Sequence, residues 1–342
     1  VKTPSYFGVL ALFAALASGL IAAGSYRKVA TISIGGTGGW DYLTADDQTG
    51  RLYVSHTSEV DVADLKSNEL VGKISGLTRI HGIAIAYDLN TGFISDGGAN
   101  QVVAFDLKTL ETKNKINAGT NPDGIVYDPY SKQVFAFNGR SKDATVIDAK
   151  TGTVVRTIPL PGKPEFPVSD GKGSIYDNIE DKSEIVRIDV KQLDVTAQWS
   201  IAPCESPSGL AIDTASRRLF SVCDNKLMAV VDADSGKVVA TPAIGEGPDA
   251  AAFDPKAKRV FSSNGEGTLT VISELDKDHY AVLENVPTVE GARTMALDPD
   301  THRVYLSSAG YGVAAAASPQ NPHPRKPVLP GTFKILVISS GR

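Results

Sequence analysis

Asn121-Pro-Asp-Gly-Ile-Val-Tyr-Asp-Pro129 is the stretch on which the fold turns. Asp123 and Asp128 stand five residues apart, around a short apolar run that ends in a turn. Segments of the same pattern begin at Asp41, His81, Glu165, Ser208, Asp249 and Arg293. From position 41 the steps are 40, 42, 42, 43, 41 and 44 residues. The second carboxylate recurs as Asp46, Asp128, Asp170, Asp213, Asp254 and Asp298, while the second copy has Ala86 there. Asp before a turn accepts backbone N–H bonds, so this residue reads as a fold residue.

Each copy continues in the same way. After the turn comes a β-rich run such as Leu52-Tyr-Val-Ser or Val134-Phe-Ala-Phe. A third run follows, as in Ala144-Thr-Val-Ile-Asp148, and then a fourth, as in Val154-Val-Arg-Thr-Ile158. Four short β-branched and aromatic strands between Gly/Asn/Asp/Pro turns make one antiparallel sheet. Seven sheets of 40–45 residues make an all-β, seven-bladed propeller of four-stranded antiparallel blades, one domain over 27–338. A solenoid of this period would need distinct capping repeats, and none is present. Unit seven reaches its third strand at Phe333–Ile338, and a spare strand, Lys28–Ile34, precedes unit one. Pairing of the two closes the ring with the N-terminal strand and leaves no open seam.

Composition agrees. The 342 residues include 32 glycines and 19 prolines, about 15 % against an average near 12 %, which favours turns over long helices. With 34 basic and 39 acidic residues the net charge is −5, and no Lys/Arg block is present, so no nucleic-acid partner is expected. Residues 1–24 carry Lys2, an apolar run from Tyr6 to Ala17 and a small-residue exit at Ala22-Ala23-Gly24. That is the pattern of a secretory signal peptide. A retained anchor is the alternative, since Tyr6–Gly24 is just long enough to span a bilayer. The signal reading implies a periplasmic or extracellular protein with no membrane span in the mature chain.

The entries of the form Pro-x-Gly-apolar-x-apolar-Asp-Pro and the body Ala144-Thr-Val-Ile-Asp-Ala-Lys-Thr-Gly-Thr-Val-Val155 resemble the YncE-like, YVTN-type seven-bladed β-propeller family. The resemblance covers about residues 27–338. It implies an exported or surface protein with a binding or scaffolding role, and a monomer is expected. More distant relatives include propeller lactonases and subunits of quinoprotein dehydrogenases. Propellers host unrelated functions, so fold alone names no activity.

In such a fold homologous positions form rings at one mouth of the central channel. The entry ring is Asp41, His81, Asp123, Glu165, Ser208, Asp249 and Arg293. The ring at the end of the second strands is His56, Asp96, Asn138, Asn178, Cys223, Asn264 and Ser308. Trp40 and Phe166 add flat apolar surface. One reading of this mouth is a ligand-binding site holding a divalent cation, Ca²⁺ or Zn²⁺, with His56, His81, Asp123 and Glu165 as metal ligands. The other is a polar, water-filled channel end. Arg293 either clamps an anion or pairs with Asp249 or Asp41. Cys204 and Cys223 fall on this face of blade five. They form a disulfide if exported, or remain two thiols. His279, His302 and His323 read as solvated. Gly310–Gly331 is a proline-rich insertion in the loop between strands two and three of blade seven. It is a lid or partner site at the mouth, or a tolerated surface loop.

Three functions compete. The first is non-enzymatic binding or scaffolding, of a protein partner or small ligand at the mouth. The second is a metal-dependent, lactonase-like hydrolase in the funnel. The third is an accessory subunit of a periplasmic redox enzyme. The absence of a nucleophile–base pair, a dinucleotide fingerprint, a phosphate loop and a C-x-x-C-H motif weighs against independent catalysis, and no catalytic residue is assigned.

Overall fold

The computed structural model describes residues 25–316, 318 and 324–341. The signal or anchor expected over 1–24, and His323, lie outside the described residues. No helix among the described residues is long and apolar enough to cross a membrane.

Seven four-stranded antiparallel sheets form the molecule, each in simple up-and-down order except the last. Blade three is typical, with strands Pro122–Asp128, Gln133–Asn138, Asp143–Asp148 and Thr153–Pro159 from the axis outward. Each inner strand packs on the next, and that of blade seven packs on that of blade one. Blade seven takes its outer strand, Tyr26–Ser33, from the N-terminal side, paired antiparallel to Lys334–Ser340. The closure read from the sequence is therefore present.

The second and third strands are buried on both faces, because every blade is covered by its two neighbours. This explains their nearly continuous apolar runs, such as Leu52-Tyr53-Val54. Seven hydrophobic clusters result, one at each blade–blade interface. The cluster of Ile32, Leu43, Leu52, Tyr305, Phe333 and Ile335 joins blades seven and one. A closed ring has no end blade, so no capping repeat is needed.

On the face away from the mouth, the repeated Asp serves two elements at once. Asp128, Asp170, Asp213 and Asp254 each accept at least one N–H of their own turn. Their carboxylates also meet Ser169 Oγ at 2.6 Å, Arg217 Nη1 at 2.8 Å, Lys258 Nζ at 3.2 Å and His302 Nδ1 at 2.6 Å, each from the following blade. His302 is thus a partner of Asp254 and not the purely solvated side chain its turn position implied. His279 is exposed and bonds Asp276. In the second copy, where Ala86 replaces Asp, the turn closes instead as a 3₁₀ turn at Tyr87–Leu89, with Asn90 left-handed at φ 47°.

Cys204 and Cys223 form a disulfide with Cα atoms 5.7 Å apart. Both are buried. The bond ties the loop entering blade five to the end of that blade's second strand. Closing a loop of 19 residues' separation restricts the unfolded chain by about 3 kcal/mol. Cys204→Ser/Cys223→Ser is accordingly expected to lower stability by about that amount in denaturant titration. Equal midpoints for the two proteins would refute it.

Candidate functional site: the channel mouth

The mouth is built by a repeated irregularity. In blades one to six the register between the first and second strands breaks at the ring residue: after Trp40, Ile80, Pro122, Pro164, Pro207 and Pro248. Such a β-bulge re-aims the side chain it carries. It turns Asp41, His81, Asp123, Glu165, Ser208 and Asp249 toward the axis.

The residue after each ring member then decides what fills the axis. It is Gly82, Gly124 and Gly209 in three blades, where neighbouring backbones nearly touch. A Cβ on Gly124 would lie 2.5 Å from the Glu165 carbonyl oxygen. In blades one and four it is aromatic. The Tyr42 hydroxyl donates to the Glu165 carbonyl at 3.1 Å, and the rings of Tyr42 and Phe166 are 5.1 Å apart. Blades one and four face each other across the ring, so these rings floor the mouth. Tyr42 escapes a motif search, yet a signal for it exists, since it stands where three other copies have glycine.

Above this floor the entry ring sorts into pairs. His81, 5 % exposed, has Nδ1 2.6 Å from Asp41 Oδ2 and 3.5 Å from Asp123 Oδ1. Glu165 meets Lys163 Nζ at 3.0 Å, and Arg293 Nε meets Asp249 at 3.1 Å. Ser208 donates to the Pro248 carbonyl at 3.0 Å. Burial pushes the carboxyls up, to about 6 for Asp123, about 7 for Asp249 and about 8 for Glu165. Charges from neighbouring carboxylates add to this, and His81, Arg293 and Lys163 oppose it without overcoming it. Asp177, fully buried opposite Pro167, is pushed well above the carboxylate range by burial and by Glu165. Burial opposes charging of His81, but the Asp41 hydrogen bond and the Asp123 charge outweigh it and raise its pKa. Burial and the charges of Asp123, Glu165, Asp41 and Asp249 raise the Tyr42 hydroxyl well above its usual value.

These shifts carry a sign. A carboxyl whose folded pKa exceeds its unfolded one binds more protons when folded, so its contribution falls as pH rises from about 4 to about 8. Glu165→Gln is therefore expected to be near neutral at about pH 4, below both the folded and the unfolded pKa. At pH 8.5 it should stabilise by about 1–2 kcal/mol, a value discounted for Lys163 and solvent. Calorimetry at both pH values checks this, and a Tm below wild type at pH 8.5 would contradict it.

The second-strand ring lies inside the blades. His56, Asp96, Asn138, Asn178, Cys223, Asn264 and Ser308 are all 3 % exposed or less. Asp96 accepts the N–H groups of Thr78 and Arg79 at 3.0 and 3.1 Å. Asn138 donates to Asp143 and Thr145, and Asn264 donates to Thr268 and Thr270. Asn178 donates to the carbonyls of Ser208 and Gly209. These side chains fix the loops that shape the mouth. The four residues read as metal ligands fall into separate groups. His81 joins Asp41 and Asp123, whereas His56 joins Glu59 and Asp61 within blade one. Glu165 belongs to neither group.

A larger space adjoins the ring. The insertion of blade seven starts as a short ribbon, with Tyr311 bridged to Val328 and Gly312 N–H bonded to the Pro327 carbonyl at 2.8 Å. Gly331 N–H reaches the Gly36 carbonyl at 2.7 Å, which fastens the ribbon to the connection leading into blade one. Between the ribbon and blades one, six and seven lies a cavity of ≈ 840 Å³, lined by Trp40, Arg293, Tyr311, Arg325, Lys326 and Glu290 among others. The described residues of the insertion thus border the mouth. Arg325 and Lys326, in the insertion, had no repeat counterpart to mark them, whereas Glu290 stands three residues before its ring member, as Glu205 and Glu246 do.

No protein-family model matches the chain. It is 26 % identical over 229 residues to Antigen Lp49 of Leptospira interrogans, covering 65 % of this chain and 41 % of that protein. It is 28 % identical over 150 residues to the uncharacterised protein YncE of Salmonella typhi, covering 41 % of this chain and 42 % of that one. The chain is a propeller with weak homology to YncE and Lp49. The resemblance read from the repeats holds to that extent, and the matched segments span about two fifths of each relative. Among solved structures, a chain of Kuenenia stuttgartiensis hydrazine synthase superposes with TM-score 0.71 at 17 % identity, over 79 % of this chain and 92 % of that one. U3-55K superposes with TM-score 0.74 at 8 % identity, over 91 % and 98 %. At such identities the likeness shows the fold alone.

Proposed function

We propose that this chain is an exported, non-enzymatic binding protein that takes its ligand or partner at the channel mouth. The observation that carries the reading is the ≈ 840 Å³ cavity, of a size typical for ligand sites, which the blade-seven insertion builds against the ring. Export is supported by the disulfide, by the apolar segment at 1–24, and by a relative named as an antigen. Hydrogen exchange, with and without the soluble envelope fraction of the producing cell, tests the site. Protection is expected at 39–42, 310–316 and 324–331. Protection confined to the outer strands or the opposite face would reject it.

A second reading is favoured by one cluster. The ligand atoms of Asp41, His81 and Asp123 lie within 4.8 Å of one another, a nitrogen and two carboxylate oxygens that suit Zn²⁺ or Ca²⁺. A metal held there would lower the pKa of a bound water, the chemistry of a metal-dependent, lactonase-like hydrolase. Elemental analysis of protein purified without chelator, beside Asp123→Ala and His81→Ala, tests it. Near-stoichiometric metal lost in both variants supports a metal centre. Metal content at background, with no thermal shift on adding either ion, rejects it.

A further inference from the structure

The cavity beside the ring differs in charge from the rest of the molecule. The chain carries a net −5, and the entry ring is dominated by carboxylates. Yet the cavity lining holds Arg293, Arg325 and Lys326 against a single carboxylate, Glu290. Lys326 is committed to Glu290, with Nζ 2.8 Å from both oxygens. Arg293, half-exposed, meets Asp249 through Nε, so its terminal nitrogens remain free of that contact. Arg325 is exposed and has no ion pair or hydrogen bond to any described residue. Two guanidinium groups with unused planar donors thus border one cavity.

The remaining lining is flat and apolar. Trp40 is stacked on Phe333, with centroids 4.9 Å apart and planes at 15°, which backs one face of the indole. Tyr311 stands 6.3 Å from Trp40 at 48°, and its hydroxyl fits over Gly291, where a Cβ would lie 2.0 Å away. Ala314, Ala315, Pro324 and Val328 supply the roof. Aromatic faces accept planar bodies, and guanidinium forks match carboxylate, sulfonate or phosphate oxygens.

We infer that this cavity binds a small organic anion built on a flat apolar body, its charged group held between Arg293 and Arg325 and its body on Trp40 and Tyr311. The inference rests on the mouth being the binding site and adds the class of ligand. A cation is disfavoured by the surplus positive charge. A neutral flat molecule would leave Arg325 without a counter-charge and the terminal nitrogens of Arg293 unused.

The test uses two dyes that share a naphthyl–phenylamine body, the anionic 8-anilinonaphthalene-1-sulfonate and the neutral N-phenyl-1-naphthylamine. The chain has two tryptophans, so Trp199→Phe leaves Trp40 as the only indole reporter. Expected are one anionic dye per chain with quenching of Trp40, and at least tenfold weaker binding of the neutral dye. Arg325→Gln, which removes no contact to the described fold, is expected to weaken the anionic dye about tenfold. It should leave the neutral dye unchanged. Equal affinity for both dyes, an Arg325→Gln protein that binds the anion as well as wild type, or no quenching of Trp40 would each overturn the inference. Mouth protection in hydrogen exchange alongside any of these would keep the binding site and discard only the anion. Absence of mouth protection would discard the site itself.

Discussion

A chain lacking residues 25–33 is expected to lose its cooperative fold. The deleted segment supplies the whole outer strand of blade seven, whose seven register pairs run from Tyr26↔Ser340 to Ser33↔Lys334. It also supplies side chains to two different interfaces. Tyr26 packs edge-on against Phe261 at 5.4 Å in the cluster between blades six and seven. Ile32, 1 % exposed, sits in the cluster between blades seven and one. Without the strand, Lys334–Ser340 becomes an open edge whose Ile335–Ile338 core has lost part of its cover, a template for aggregation. Burial of the two side chains alone is worth about 1.5–3 kcal/mol each, before the ladder is counted. The loss is concentrated where the ring closes, so it acts on both neighbouring interfaces. Ile32→Ala, which keeps the strand, should cost about 2–5 kcal/mol. Thermal melts by circular dichroism compare the three proteins, and a synthetic 25–34 peptide added in trans should restore part of the transition. A deletion protein melting cooperatively within a few degrees of wild type would show that the strand does not close the fold.

Gly209→Val is expected to destabilise by more than about 3 kcal/mol, beyond the usual range for overpacking. The reason is the nature of the obstacle. A Cβ at 209 would lie 2.5 Å from Ala250 Cα, 2.6 Å from Ala251 N and 2.7 Å from Ala250 C. All three atoms are backbone of the next inner strand, so no side chain can rotate away. The inner strands of blades five and six would have to separate, and the bulge that aims Ser208 and Asp249 would open with them. Denaturant titration gives the size of the effect. Hydrogen exchange adds a spatial test, with faster exchange expected first in Pro207–Asp213 and Pro248–Asp254. A Gly209→Val protein with wild-type midpoint would mean that these strands can move apart freely. Gly124→Val meets the Glu165 carbonyl in the same way and should behave alike.

The residues behind both effects are already marked by the repeat pattern. Gly124 and Gly209 are the glycines of the entry motif, and Lys28–Ile34 is the strand without a blade. The sequence by itself determined the number of blades, the four strands of each, the closing partner and the turn role of the repeated Asp. It could do so because these depend on local periodicity and on a pattern repeated seven times. It also put Cys204 and Cys223 on one face of one blade, where they are now bonded.

What the tertiary structure alone decided is which of the homologous polar residues meet one another. The two rings look equivalent in an alignment of the repeats. The bulge turns the first ring toward the axis, whereas interblade packing buries the second and engages it with loop backbone. His56 and His81 likewise part company because one faces Asp61 in its own blade and the other faces carboxylates in two neighbouring blades. Tyr42 reaches Glu165, 123 positions away, because the ring brings blades one and four face to face. The cationic cavity depends on an insertion with no counterpart among the repeats, whose ribbon is set by Tyr311 and Val328 and whose far wall is Trp40 of another blade. Contacts of this kind arise between blades, where sequence spacing carries no distance information, and only closure of the ring fixes them.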